Sequence, residues 1–265
     1  MFYPTSASFK TENIVKCKNC SLIFTNPRLK SDLLLKFYSE GRDIDYIKQQ
    51  QERTQVFRNV IKYIESFCPG GRMLDIGCGA GFLLSAAAAK GWDAKGIELN
   101  KFFADFARER LKINVIGETA EKVDLEPDYF DVITMWDSLE HLLDPYLVLS
   151  KAHRWLKKGG YIFINTPDIN SILAKIFKSK WWFIESMHLY YFNPQMINMY
   201  FKKIGFEYLQ KKSHIQTLKL CYLASKIKPY SKPAYKTINA VIRFMRLADL
   251  NISYYAGQII VIGRK

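Results

Sequence analysis

Asp75, Gly77, Gly79 and Gly81 fall together in MLDIGCGAGFLL (73–84), and Glu98 follows in the next apolar run, KGIEL. A glycine loop between a strand and a helix lets a ligand approach the backbone at the carboxyl end of a parallel sheet. The spacing G-x-G-x-G counts against a dinucleotide, because the third glycine of G-x-G-x-x-G would fall at Phe82. A carboxylate at the end of the second strand, where Glu98 is placed, can accept both hydroxyls of a ribose. No lysine stands where a P-loop would need one for a triphosphate. The chemistry suggested is nucleoside binding without pyrophosphate.

The elements that must position these groups alternate. The pattern of 39–67 suits helix, with Tyr46, Val56, Val60, Tyr63 and Ile64 as its apolar positions, and Pro69-Gly70-Gly71 ends it. RMLDIG reads as a strand, GFLLSAAAAKG as a helix closed by Gly91, and DAKGIEL as a second strand. NKFFADFARERL is a helix, INVIGE and YFDVITMW are strands, PYLVLSKAHRWLKKGG is a helix with a Gly-Gly stop, and YIFINTP is a fifth strand. Strands alternating with helices indicate a parallel, doubly wound sheet. PQMINMYFKKIGF then reads as a helix ending at Gly205, FEYLQKKS as a strand, and YAGQIIVIGRK as a final strand.

In these blocks the chain resembles the class I S-adenosylmethionine-dependent methyltransferases. LDIGCGAG is similar to their first motif, IEL with Glu98 to their ribose motif, and GETAEKV to their adenine-flanking loop. FDVITMWDSLEHLLDP and LKKGGYIFINTPD resemble the motifs of the fourth and fifth strands. HLYYFNPQMINMYFKKIGFE is similar to a segment of the subgroup that modifies quinones and sugars. The resemblance spans about 40–210. It implies an α/β fold, a Rossmann-like, mostly parallel seven-stranded sheet with helices on both faces, and S-adenosylmethionine as cofactor, with S-adenosylhomocysteine as product. It implies that Asp75, Gly77, Cys78, Gly79 and Gly81 hold the amino-acid part, and Glu98 the ribose with Leu99 beside the adenine. Glu118, Thr119 and Ala120 would edge the adenine, and Trp136 and Asp137 would close the pocket.

Methyl transfer from a sulfonium is an in-line displacement, so positioning of the acceptor dominates, and a hydroxyl acceptor needs a base. His141, just past the fourth strand, and His188, ahead of an aromatic run, are the candidate bases, with Asp137 beside them. Tyr190, Tyr191 and Trp182 would line the acceptor site. Either histidine could instead serve only structure, bonding a nearby backbone group. Asp137, Glu140 and His141 are too few ligands over too short a span for a metal to be expected.

The chain has 265 residues, enough for one large domain with appendages. Three segments are expected: a 1–38 extension, a 39–212 core, and a 213–265 segment of basic helix plus final strand. Cys17 and Cys20 in IVKCKNCSLIFTNPR are one C-x-x-C pair, half of a four-ligand site, so a ribbon remnant without zinc is expected. Five scattered cysteines and an opening without a signal-peptide pattern suggest a cytoplasmic protein.

The net charge of +14 is concentrated: 171–265 carries 16 Lys and Arg against 3 Asp and Glu, and 1–170 carries 23 against 22. In SKPAYKTINAVIRFMRLADL, Lys232, Lys236, Arg243 and Arg246 share one helical stripe, and Tyr235, Ile238, Val241, Ile242 and Met245 lie opposite. Such a helix lies on an anionic membrane surface or covers the sheet with its apolar side inward, the second being the commoner outcome. The expected partners are a small-molecule or lipid-linked acceptor (a sugar, polyprenyl-linked or quinone-like molecule), methylated at oxygen. An anionic membrane surface would be met through 171–250, at the inner face of the membrane. RNA is the rival polyanion, but MWDSLEH is not the N-P-P-Y type associated with base methylation. A cofactor-binding protein without catalysis is the third reading.

Overall fold

The computed structural model describes residues 13–185, 187–225, 227, 231–248 and 250–265, without the side chains of 218 and 222. Residues 1–12 of the expected extension lie outside the described residues. The chain forms two compact units. One runs to Ser213 and takes up Gly257–Lys265; the other is His214–Ala256.

The first unit opens with a hairpin, β1 (Ile14–Lys16) and β2 (Ile23–Thr25). Then come α1 (Ser31–Glu40), α2 (Ile44–Lys48) and α3 (Gln50–Glu65). The single helix expected over 39–67 is two, α2 and α3, preceded by the end of α1: Gly41 is extended at φ −62°, ψ 143°, and a second break falls at Gln49. The alternating core follows as β3 (Arg72–Ile76), α4 (Phe82–Ala88), β4 (Asp93–Ile97), α5 (Lys101–Arg110), β5 (Asn114–Ile116), β6 (Phe130–Trp136), α6 (Pro145–Trp155) and β7 (Leu156–Pro167). α7 (Ile172–Phe177), β8 (Tyr190–Tyr191), α8 (Pro194–Ile204) and β9 (Glu207–Lys219) lead into α9 (Leu220–Ser225), α10 (Lys232–Phe244) and β10 (Asn251–Arg264).

The Gly-Gly stop expected for the helix after the fourth strand is not one. α6 ends at Trp155, because the carbonyls of Arg154 and Trp155 accept the amides of Asp128 and Tyr129 instead of continuing the helix. Gly159 and Gly160 lie inside β7, where they exchange backbone hydrogen bonds with Lys265 at 2.9 and 3.0 Å.

The main sheet has the order β5-β4-β3-β6-β7-β10-β9. β5, β4, β3, β6 and β7 pair in parallel, and β10 runs antiparallel to β7. This is the mixed, mostly parallel seven-stranded sheet expected. Parallel strands covered on both faces read as nearly continuous apolar runs, as in RMLDI and FDVITMW. Alternate residues of the strands enter two cores. Leu74, Ile76 and Ile133 meet α6 and α8 through Leu149, Trp155 and Phe201. Met73 and Val132 meet α3, α4 and α5 through Ile61, Leu84 and Ala107.

β1 and β2 form a separate small sheet with β8, Phe24 opposite Tyr190 and Ile23 opposite Tyr191. The N-terminal hairpin thus carries the aromatic strand that follows His188. In the second unit, the ribbon halves of β9 and β10 are tied by Thr217 Oγ1 to Ser253 Oγ at 2.8 Å and by Tyr254 donating to Gln216 at 2.9 Å. Of the apolar stripe of α10 only Ile242 is buried; Ile238, Val241 and Met245 are exposed. The commoner outcome, a stripe covered by the fold, does not hold for these three residues; α10 packs on the short α9. No helix among the described residues is long and apolar enough to cross a membrane.

Asn100 shows how the fold and the cleft are joined. Its Oδ1 caps α5 by accepting the amide of Phe103 at 3.0 Å. Its Nδ2 donates to the carbonyls of Tyr38 (2.6 Å) and Gly41 (2.8 Å), holding the end of α1. Asn100→Ala strands one donor and two acceptors, so unfolding in urea should show a loss of about 2–4 kcal/mol, with faster amide exchange over 31–41. Ser39→Ala, which removes one exposed hydrogen bond to Lys36, should cost under about 0.5 kcal/mol. Equal losses in the two variants would contradict this role.

Candidate functional site

β3 is flanked by β4 and β6, so the chain's first crossover and its return open a cleft at the carboxyl ends of these strands. The glycine loop lies there, and its three glycines do different work. All have positive φ, at 75°, 54° and 77°. A Cβ on Gly77 would lie 2.5 Å from Ser138 Cβ, and one on Gly81 would lie 3.0 Å from Ala107 Cβ on α5. At these two positions protein itself forbids a side chain. Only Gly79 faces the cleft, its nearest neighbour being the Tyr46 hydroxyl at 3.3 Å from such a Cβ. Cys78 is buried with its thiol against Gly96, and its amide donates to Ile97.

Glu98 ties the loop to the next helix. One carboxylate oxygen accepts the amide of Gly79 and the other that of Asn100, both at 2.7 Å. Each oxygen keeps a further lone pair for a ligand hydroxyl. Loss of hydration holds this carboxyl above its ordinary value, against the pull of those amides. Asp75, buried at the end of β3, accepts from Thr134 Oγ1 at 2.7 Å and is pushed up to about 7 by burial. Asp137 holds a positive φ of 51°, accepts from Gln258 Nε2, and donates its amide to Asn165. Its side chain is open, yet desolvation in the cleft raises it to about 6, opposed first by Arg53.

Arg53 comes from α3, with its guanidinium 4.1 Å from the centroid of the Tyr46 ring. Its Nε is buried without a hydrogen-bond partner. Tyr46 is stacked on Phe82 at 5.4 Å, and burial pushes its phenol up to about 12. The cleft thus holds three carboxylates short of positive partners and one cation whose Nε lacks an acceptor. An amino-acid zwitterion joined to a nucleoside fits that pattern: its carboxylate suits Arg53, its ammonium suits Asp75 and Asp137, and its diol suits Glu98.

Around the remaining expected positions, Leu99 is partly exposed beyond β4, and Thr119 and Ala120 are buried. Glu118 folds back to accept the Thr119 amide at 2.8 Å and lies 3.7 Å from Lys122. Trp136 is buried, edge-on to Phe57.

On the other side of Asp137, a short helical turn, Leu139–His141, presents Glu140 and His141. Nδ1 of His141 lies 2.5 Å from the Tyr38 hydroxyl and 2.9 Å from the Met187 carbonyl, and that hydroxyl donates to the same carbonyl at 2.6 Å. A carbonyl only accepts, so Nδ1 carries the proton and Nε2 keeps its lone pair. His188 Nδ1 donates to Phe183 O at 2.8 Å, with the same outcome. Burial depresses both imidazoles, His141 to about 4, which keeps them neutral. Glu140 is buried; Thr166 donates to one oxygen at 2.9 Å, and the other has no hydrogen-bond partner. One ligand atom from each of Glu140, His141 and His188 lies within 4.8 Å of the others, a spacing that a divalent ion would fit. The structure groups His188, rather than Asp137, with Glu140 and His141.

The aromatic residues are partly committed. Tyr190 donates to Leu143 O at 3.0 Å and receives Arg28; buried Tyr191 donates to Glu185 O at 3.2 Å; Trp182 is half-buried beside Phe177. Sequence reasoning missed Arg53, Tyr38 and Asn100. Arg53 and Tyr38 sit on helices outside every recognised motif, and no local pattern marks them; Asn100 could have been found as an N-cap directly after IEL.

A family model described as a methyltransferase domain matches residues 46–211. The ubiquinone biosynthesis O-methyltransferase of Pseudomonas aeruginosa is 38% identical over 107 residues, 38% of this chain and 46% of that protein. The protein of the same name from Thiobacillus denitrificans is 32% identical over 124 residues, 42% of this chain and 51% of that one. The matches therefore span about half the length of those relatives. Among solved structures, a Thermotoga maritima methyltransferase described as a possible histamine N-methyltransferase superposes with a TM-score of 0.57 at 20% identity, over 89% of this chain and all (100%) of that one. Haemonchus contortus phosphoethanolamine N-methyltransferase 2, solved with S-adenosylhomocysteine, gives 0.53 at 22% identity, over 77% and 52%. The domain match covers well over half of the sequence, and the chain belongs to the class I S-adenosylmethionine-dependent methyltransferases.

Proposed function

We propose that this chain transfers the methyl group of S-adenosylmethionine to an oxygen of a small or lipid-linked acceptor, a sugar, polyprenyl-linked or quinone-like molecule. The observation that carries the cofactor half is the opposed charge in the cleft: Arg53 with a buried, unpartnered Nε, within electrostatic reach of Asp137, together with the under-compensated carboxylates Asp75 and Glu98. Arg53 binds the cofactor carboxylate, Asp75 and Asp137 attract its ammonium, and Gly79 leaves room for the chain between them. Glu98 holds the ribose diol, and Leu99, Glu118, Thr119, Ala120 and Trp136 border the adenine. Ser138 and Ala107 keep Gly77 and Gly81 in place, so that these two shape the loop from behind.

When bound, the cofactor supplies an electrophilic methyl on a sulfonium. The chain's own residues do the rest. His141, its tautomer set by Tyr38 and Met187 O, offers Nε2 to the proton of the acceptor hydroxyl. His188, 4.7 Å away between ring centroids, offers a second neutral imidazole. Tyr190, Tyr191 and Trp182 supply apolar surface for a ring. The ubiquinone O-methyltransferase relatives support an oxygen acceptor of quinone-like shape.

Isothermal titration with S-adenosylmethionine and S-adenosylhomocysteine tests the cofactor half. Arg53→Met should weaken both by at least about tenfold while leaving the unfolding midpoint within a few degrees, since it removes a charge-assisted hydrogen bond made only to ligand. Undiminished affinity in this variant would remove Arg53 from the site.

Asp75 gives a pH signature. Its folded value near 7 lies above the unfolded 3.8, so the stability it contributes is full below about pH 4 and is lost as the pH rises through 7, about 4 kcal/mol in all. Asp75→Asn, which can still accept from Thr134, should be more stable than the parent at pH 8 and should bind the cofactor about tenfold more weakly. Thermal melts at pH 5 and pH 8 check the first part; a stability difference independent of pH would count against a buried, ionising Asp75.

A further inference from the structure

The second unit carries a surface that neither the cleft nor the sheet requires. α10 is a preformed helix: the Ser231 side chain caps it by accepting the Ala234 amide at 3.2 Å, and Pro233 stands in its first turn. Beside buried Ile242, Ile238 (37%), Val241 (50%) and the capping residue Met245 (58%) are exposed in one run, with Phe244 next to them at 90%. Lys232, Lys236 and Arg243, all exposed, occupy the opposite stripe. The sequence of this unit, 214–256, holds seven Lys and Arg against one Asp.

An exposed apolar run with aromatic and branched side chains marks an interaction site. Charge selects the occupant: a strongly cationic unit with an apolar helix face complements a bilayer with anionic headgroups, where the apolar side enters the acyl boundary and the basic side stays among phosphates. We infer that α10 docks this protein onto an anionic lipid surface, Phe244, Val241, Met245 and Ile238 inserting and Lys232, Lys236 and Arg243 supplying the attraction. The helix is already formed and capped, so docking carries little of the folding entropy that an unfolded amphipathic segment would lose. A basic stretch binding RNA would use its charges and leave the apolar run in water, which is why lipid is the better match.

Flotation of the purified full chain with extruded vesicles tests this. Vesicles of equal parts phosphatidylglycerol and phosphatidylcholine should carry the protein at least about tenfold better than phosphatidylcholine alone. Val241→Ser with Phe244→Ser should lose about tenfold in partition, and so should Lys232→Glu with Lys236→Glu and Arg243→Glu. All the substituted side chains are exposed, and circular dichroism with unchanged S-adenosylmethionine binding would verify that each variant is folded. Partition that ignores either variant overturns the proposal. So does a dimer, seen by light scattering, that Val241→Ser with Phe244→Ser dissociates, or binding to polyuridylate that depends on the charges while vesicles are ignored. The docking is independent of methyl transfer: a parent chain that floats but binds no S-adenosylmethionine would contradict the proposed function alone.

Discussion

The Glu98 carboxylate is the joint of this structure. Its two oxygens accept amides from two loops, Gly79 after β3 and Asn100 at the start of α5. The first bond fixes the one glycine that faces the cleft. The second fixes the residue whose side chain holds α1, and α1 in turn carries Tyr38 to His141. One acid therefore couples the glycine loop to the Tyr38–His141 pair through a chain of hydrogen bonds.

That coupling has an energetic cost, and the cost is informative. Asp75, Asp137 and Glu98 are all held above their ordinary ionisation range, in each case chiefly by lost hydration. A fold selected only for stability would place apolar groups there, because a desolvated carboxylate without a partner is unfavourable. Arg53 offsets part of the charge near Asp137 while its own Nε stays unpartnered. Groups arranged at such a cost, with signs that match a zwitterion, read as a binding site rather than as a salt bridge built for the fold.

Much of this was legible in the sequence because the sheet is parallel and covered. Apolar runs such as RMLDI and FDVITMW, punctuated by glycines, are what burial on both faces demands. The placement of the glycine loop, Glu98 and His141 just past the ends of strands was legible from the same runs. What was not legible depends on contacts distant in sequence. The closeness of Ser138 to Gly77 spans sixty-one positions, so the glycines were read as room for a guest when two of them make room for protein. The Gly-Gly pair after α6 was read as a helix stop, although the helix ends earlier because Asp128 and Tyr129 capture its last carbonyls. Arg53 and Tyr38 lie in a helical stretch whose local pattern shows only an apolar face. The amphipathic stripe of α10 was visible as a pattern, but whether it is covered is a property of its neighbours.

The central claim is that opposed charges around the glycine loop hold the amino-acid end of a nucleoside cofactor. A crystal structure of the chain with S-adenosylhomocysteine tests it most directly. The account predicts the ligand carboxylate within hydrogen-bond reach of Arg53, its ammonium facing Asp75 and Asp137, and both ribose hydroxyls on Glu98. A ligand bound with its carboxylate away from Arg53, or with its ribose away from Glu98, would contradict it.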